Sequence, residues 1–231
     1  VSGRTFEGAS LNYEGNLALS WQTLWVGPFL VDGVLGAKGD VSSQLEPLLR
    51  ENEHLWKKAE GYLYADSASS AGTYLQSIGK RFDQWSVSYS KWTEPLERLS
   101  EGFPAGYWSP VVERRGRKGE CLREQYAWLK HQPEGMDSPV QYAVARYRSD
   151  QDLFWRYSFI ATQSADGTPQ GVFERHRLKG DFERRFSDVL SDLDLHHPPC
   201  ANLAANRVYY ALATLAYNIL QALKLIWMPP E

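Results

Sequence analysis

Cysteine is scarce in this chain. Cys121 and Cys200 are the two present, they lie far apart, and no CxxC pair occurs. That argues against a disulfide framework or a thiolate zinc site, and a reducing, cytoplasmic compartment is expected. A basic excess is absent too. The net charge of −3 counts against a freestanding nucleic-acid binder, so a positive surface must be local or come from another part of the protein. No basic-then-apolar leader opens the sequence, which leaves secretion without support. No repeat or low-complexity stretch is found. Val1 is not a Met, so a fragment or processed product is expected.

What is present suits a folded core. Hydrophobic residues make up 43% and charged residues 23%, which leaves no room for wholesale disorder. Nine Trp and thirteen Tyr fit broad sheet faces or stacking surfaces, with core packing as the default reading. Trp85, Trp92, Trp108, Trp128 and Trp155 are the candidates for stacking on an unpaired base. Val208 to Met228 is apolar over about the length of a bilayer-spanning helix. Asn218, Gln221 and Lys224 interrupt it and no basic flank follows, so a fully buried helix of a soluble core is expected and no membrane partner.

Periodicity and punctuation predict strands over Ser10–Tyr13, Leu17–Val26 and Phe29–Leu35, with a turn at Gly27-Pro28. A helix capped by Ser42 or Ser43 runs through Leu45, Leu48, Leu49 and Trp56. Tyr62–Ala65 is a short strand running into Asp66, Ser69–Ile78 a small helix and Trp85–Tyr89 another strand. Short segments such as Gln141–Tyr147 and Leu153–Thr162 form a β-rich insertion. Helices resume near Phe173 and run to Leu190, and after Pro198-Pro199 a last helix begins around Ala201. The order is that of an α/β domain carrying an insertion, divided as 1–94, 95–162 and 163–231.

Asp66 ends a strand, the place where α/β sheets build sites, although Asp-Ser before a helix is also a common cap. Glu183 lies among Arg177, Lys179, Arg184 and Arg185. Lys179 stands four residues earlier on the same helix face, and that local pattern favours a plain ion pair. Arg114-Arg115-Gly116-Arg117-Lys118 is the densest basic cluster, readable as a solvated hairpin tip or as a phosphate contact. His196-His197 reads as linker.

Leu63-Tyr64-Ala65-Asp66-Ser67 resembles the "R-A-D-S-G" element of DDE-type transposases from bacterial insertion sequences. His176 to Phe186 is similar to their "Y-R-x-R-G-x-x-E-N-R-F" helix, with Arg177, Gly180, Glu183, Arg185 and Phe186 in place. Pro198-Pro199-Cys200, Ala205-Asn206 and Leu215–Leu220 resemble their closing "P-x-x…A-N…L-A-Y-N-L-L" helix, and Gly39-Asp40 with Ser43 resembles "G-N-x-x-S". The departures are His176, Lys179 and Leu190 where the family signature has Tyr, Arg and Lys, and Ala68 for Gly.

The resemblance implies a ribonuclease-H-like mixed sheet with flanking helices and a β-rich insertion, its first strand absent from this chain. It implies DNA transposition and recombination by metal-dependent strand cleavage and transfer, with two Mg²⁺ or Mn²⁺ ions held by three acids. Asp66 and Glu183 match two of them, as catalytic and metal-binding residues. The first acid is unassigned, since Asp32 and Asp40 fall on or after a later strand. Arg177, Lys179 and Arg185, with Arg114, Arg115, Arg117 and Lys118, are the implied DNA-binding residues. The implied partners are DNA (transposon ends and target) and a second copy in a homodimer. The alternative is an inactive or repurposed DNA-binding remnant.

Overall fold

The computed structural model describes residues 6–11, 15–39, 43–56, 61–90, 93–116, 119–164 and 167–228. The strands are β1 (Ser10–Leu11), β2 (Leu17–Ala18), β3 (Ser20–Val26), β4 (Phe29–Gly36), β5 (Tyr62–Ala65), β6 (Gln84–Tyr89), β7 (Val112–Arg115), β8 (Cys121–His131), β9 (Val140–Ser149) and β10 (Arg156–Gln163). The helices are α1 (Leu45–Glu51), α2 (Gly72–Gly79), α3 (Glu94–Glu101), α4 (Pro169–His176), α5 (Lys179–Asp192) and α6 (Leu203–Trp227). The architecture is α/β, with a six-stranded mixed sheet and flanking helices. The chain divides into two compact units, Val1–Ala59 with Gly180–Glu231, and Glu60–Lys179.

In the first unit β3 and β4 form an antiparallel hairpin, and Gly27 takes a positive φ of 58° at its turn. Trp21 and Trp25 stand four residues apart on β3 and meet aromatic rings from α5 and α6. Trp21 lies 5.7 Å from Phe186 and 5.0 Å from Tyr210; Trp25 lies 5.4 Å from Phe182 and 5.5 Å from Tyr217. Leu30, Leu35, Val189 and Leu195 complete this core.

Two asparagines of α6 lock the helix to the chain around it. The Asn218 amide accepts from the Leu30 N–H at 3.0 Å and donates to the Leu30 carbonyl at 2.7 Å, satisfying the backbone of β4. Asn206, fully buried, exchanges the same pair of bonds with the backbone of Cys200. Asn202 caps the helix by accepting from the Ala205 N–H.

Full burial of the last helix, expected from its apolar run, is corrected by the structure. Asn206, Tyr210 and Tyr217 are its buried residues, while Val208, Leu212, Leu215 and Ile226 are more than half exposed. A two-stranded hairpin is broad enough to cover one stripe of a helix, and composition does not tell which stripes are covered. No helix among the described residues is long and apolar enough to cross a membrane.

In the second unit the sheet order is β5-β6-β10-β9-β8-β7. β5 and β6 pair in parallel, which requires a crossover, and α2 supplies it. All the other pairings are antiparallel. The strands of segment 95–162 thus continue the sheet begun by β5 and β6, within one compact unit that runs to Lys179. Tyr126, Ala143, Ala145 and Ile160 project from one face of this sheet onto Val172 and Phe173 of α4. The predicted helix from Phe173 to Leu190 is two helices, with the break at Arg177 and Leu178. The predicted strand start at Leu153 shifts to Arg156.

Candidate functional site

Asp66 occupies the carboxyl end of β5 and is exposed. Its Oδ1 accepts from the Ala68 N–H at 3.0 Å, so the carboxylate caps the short turn Ser67–Ser69 that leads toward α2. The cap and the strand-end position are therefore realised by one side chain. On β5 the rings of Tyr62 and Tyr64 lie 4.6 Å apart in a tilted pair, and Tyr64 lies 6.3 Å from the His176 ring.

His176 closes α4 and points inward. One ring nitrogen bonds the Ser86 hydroxyl at 2.7 Å and the other the Ser88 hydroxyl at 2.8 Å, and His176 is 9% exposed. Ser86 is completely buried, so the pair satisfies polar groups that would otherwise be costly inside the sheet–helix layer. At the position where the resembled signature has Tyr, this chain places a histidine that holds β6 to α4.

Next along the chain, Arg177 meets an unexpected carboxylate. Glu124, on β8 and 8% exposed, lies 3.4 Å from the Arg177 Nη2 and 3.7 Å from the Arg114 Nη1. The Tyr126 hydroxyl donates to the same Glu124 oxygen at 2.5 Å. Burial, followed by this hydrogen bond and the glutamate charge, raises the tyrosine above its ordinary range. Two of the cations read as phosphate contacts thus share one internal acid. Arg115 is exposed at the end of β7, while Arg117 and Lys118 lie outside the described residues.

Glu183 and Lys179 stand on α5, Lys179 as the last residue of one compact unit and Glu183 in the other. Phe182 and Phe186 form its inward stripe, and Glu183 is exposed beside it. Arg184 pairs with Asp181 at 3.5 Å, a helical ion pair between exposed groups. Arg185 donates to the Gly27 carbonyl at 3.3 Å and so braces the β3–β4 turn. Asp66 belongs to the second unit and Glu183 to the first. Asp32, on β4, accepts from the Asn52 amide and the Gly33 N–H, a structural role; Asp40 lies outside the described residues.

The tryptophans divide by use. Trp85 and Trp108 are buried, and Trp128 packs against the α4 cluster; Trp92 lies outside the described residues. Trp155 joins a stack in which the Arg146 guanidinium lies 4.1 Å from Trp108 and 4.6 Å from Trp155, with Arg148 at 4.5 Å from Trp155. Gln125 accepts two bonds from Arg146, at 3.1 and 2.7 Å. Trp108 and Trp155 serve as arginine platforms rather than open base-stacking faces. Burial lowers the Arg146 pKa.

The loop from β9 to β10 is held by Asp152. Its Oδ2 accepts from the Ser149 N–H at 2.7 Å and from the Ser149 hydroxyl at 2.8 Å, and Arg156 bonds its other oxygen. The backbone bond first, then Arg156 and the hydroxyl, lower its pKa to about 2. A depressed carboxylate stabilises the fold above its unfolded pKa, roughly 3.9, and loses that effect as pH falls through the folded value. The loop is therefore expected to persist through mild acid. A carboxyl-carbon NMR titration should show an Asp152 midpoint near pH 2; a midpoint close to 4 would show that these bonds do not hold it.

No family model and no curated protein matches this chain. Among the described residues, no group of three or more His, Cys, Asp and Glu side chains converges to hold a metal ion. The three-acid set is therefore not assembled among the described residues. Sequence reasoning missed Glu124 and the Ser86–His176–Ser88 cluster. Glu124 gave one weak signal, an acid at a strand position whose neighbours two residues away, Leu122 and Tyr126, face the helix-covered side.

Proposed function

We propose that this chain derives from the catalytic core of a DDE-type transposase of ribonuclease-H-like fold, acting on phosphodiesters of DNA with Asp66 and Glu183 as two of its acids. The observation that carries this reading is Asp66 at the carboxyl end of β5, the strand paired in parallel with β6 and followed by a crossover helix. Strand-end acids beside a crossover are where α/β sheets present ligands. The order of the remaining motifs supports it: a helix with Glu183 among cations, then the Pro-Pro linker, then a long helix fixed by Asn206 and Asn218.

A second reading, an inactive or repurposed DNA-binding remnant, is favoured by the absence of a three-donor group among the described residues. The inward His176 also favours it. Titration calorimetry of the full chain with Mn²⁺ separates the two. Binding that disappears in Asp66→Asn and Glu183→Gln is the result expected of the catalytic lineage; heat identical in wild type and both variants, or none at all, leaves the remnant. In both readings the chain alone is expected to show no strand transfer. Metal-dependent nicking by the wild type that Glu183→Gln abolishes would overturn that expectation.

A further inference from the structure

We propose that a cleft in the unit Glu60–Lys179 binds a small organic anion, an apolar body bearing one carboxylate or phosphate group. The cleft has a volume of about 640 Å³, within the range of roughly 300–1,000 Å³ typical of small-molecule sites. Every residue lining it belongs to that unit, so its shape is set there alone. It lies at the start of β6, whereas Asp66 follows the end of the parallel strand β5. The two places are therefore at opposite ends of the sheet, and the cleft is no part of the acid site.

Its walls are held in place before any ligand arrives. One wall is the last part of α2, anchored by the fully buried Leu75. The other is the chain from Met136 to Val140, which leads into β9. Gly135 bends that chain at a φ of 84°, and Gln132 donates to the Met136 carbonyl at 2.8 Å. Gln76 of α2 bonds Asp137 and so ties one wall to the other. Leu75, Met136 and Val140 give the cleft apolar surface.

The polar side chains left over are mostly donors. Trp85 is part of the lining and 3% exposed, and its indole N–H has no hydrogen-bond partner among the described residues. A buried donor in that state is uncommon and costly. Trp85 is the registered partner of Gln163 on β10, so both side chains project to the same sheet face. Gly79 is where they meet the cleft. A Cβ there would stand 3.7 Å from the Trp85 Nε1 and 4.0 Å from the Gln163 Oε1, so its absence leaves room for a ligand atom beside both. Among the described residues, neither the Gln163 amide nor the Lys80 and Lys130 ammonium groups have a partner. Ammonium and indole groups donate and cannot accept. Asp137, the carboxylate on the wall, is already engaged by Gln76. The fitting ligand therefore brings acceptors and negative charge to the donors, and an apolar body to Leu75, Met136 and Val140.

The test is proton–nitrogen NMR correlation spectroscopy of the full chain, titrated with naphthyl phosphate, naphthoate and the neutral naphthylmethanol. The Trp85 indole signal is identified by its loss in Trp85→Phe. For anions of this size a dissociation constant on the order of 1 mM is expected, with the Trp85 signal moving as they bind. Naphthylmethanol should bind at least about 10-fold more weakly. Whichever anion binds more tightly assigns the group as phosphate or carboxylate. Lys80→Gln/Lys130→Gln, at two exposed positions, should weaken both anions about 10-fold and leave naphthylmethanol unchanged. Gly79→Ala should weaken all three compounds at a melting temperature close to wild type, because its methyl takes the ligand's place. The proposal is overturned by a Trp85 signal that stays still up to about 5 mM anion. Equal affinity for the neutral compound, or affinities that both variants leave unchanged, overturns it as well. These readouts need neither metal nor DNA, so they stand or fall apart from the transposase reading.

Discussion

Gly72→Ala is expected to destabilise the unit Glu60–Lys179 by about 3 kcal/mol, at the upper end of the overpacking range. A Cβ at Gly72 would stand 2.0 Å from the Glu134 carbonyl oxygen and 3.0 Å from its carbon. Those atoms are backbone, so no rotamer change relieves the contact. Nor can the loop retreat freely. Gln132 donates to the Met136 carbonyl at 2.8 Å, Gly135 takes a φ of 84°, and Gln76 of α2 bonds Asp137. The helix is pinned from the other side by Leu75 and Ile78, both fully buried. A fall in melting temperature on the order of 10 °C follows. Gly79→Ala provides the internal control, since its nearest contact would be an ordinary 3.7 Å from the Trp85 Nε1. That change should stay within about 1 kcal/mol of wild type. Equal melting temperatures for the two variants would show that the close approach of α2 to the β8–β9 loop is not maintained.

The second large effect centres on Glu124. Replacing it by Gln leaves Arg114 and Arg177 facing a neutral amide and removes the charge that accepts from Tyr126. Breaking a buried pair costs up to about 3–5 kcal/mol, but both arginines are more than a third exposed, so about 2 kcal/mol is expected here. The same change releases two cations. If DNA is the partner, Glu124→Gln should bind duplex DNA more tightly at low salt. Its plot of log affinity against log salt should steepen by up to about 2, close to one unit per added phosphate contact. Fluorescence anisotropy across a salt series reads this directly. Tyr126→Phe removes the hydrogen bond alone and should cost about 1 kcal/mol without altering the salt slope. A Glu124→Gln slope equal to wild type would mean that neither arginine faces phosphate, and the DNA-binding role of Arg114 and Arg177 would be dropped.

Much of the local structure was legible from the chain. Gly27-Pro28 between two aromatic-rich runs marks a hairpin because the turn needs a positive φ that glycine adopts without strain. Tyr62–Ala65 into Asp66-Ser67 marks a strand end and a cap because both depend on neighbours within a few residues. Glu183 was correctly expected on a helix, although that helix begins only at Lys179.

Other features depended on pairings distant in sequence. The strands after Pro95 read as a β-rich insertion, and β10 pairs with β6 through residues such as Phe159 with Tyr89 and Gln163 with Trp85, which makes one sheet of both segments. Arg177 read as a phosphate contact from the family resemblance and a basic neighbourhood, which is a local fact. Its partner Glu124 comes from a strand 53 residues earlier. His176 likewise read as a departure from the Tyr of a signature, and its serine partners lie about ninety residues back.

The closing helix shows the division most plainly. Sequence alone determined that a long apolar helix would follow Pro198-Pro199 from around Ala201, because a nearly continuous apolar run is written locally. Which side would be buried was decided by the tertiary structure. A two-stranded hairpin, with Asn218 bonded to Leu30, reaches one stripe of the helix, and Val208, Leu212, Leu215 and Ile226 are more than half exposed. Hydrophobicity draws apolar residues out of water without specifying a partner, and only the geometry of what packs beside them selects one.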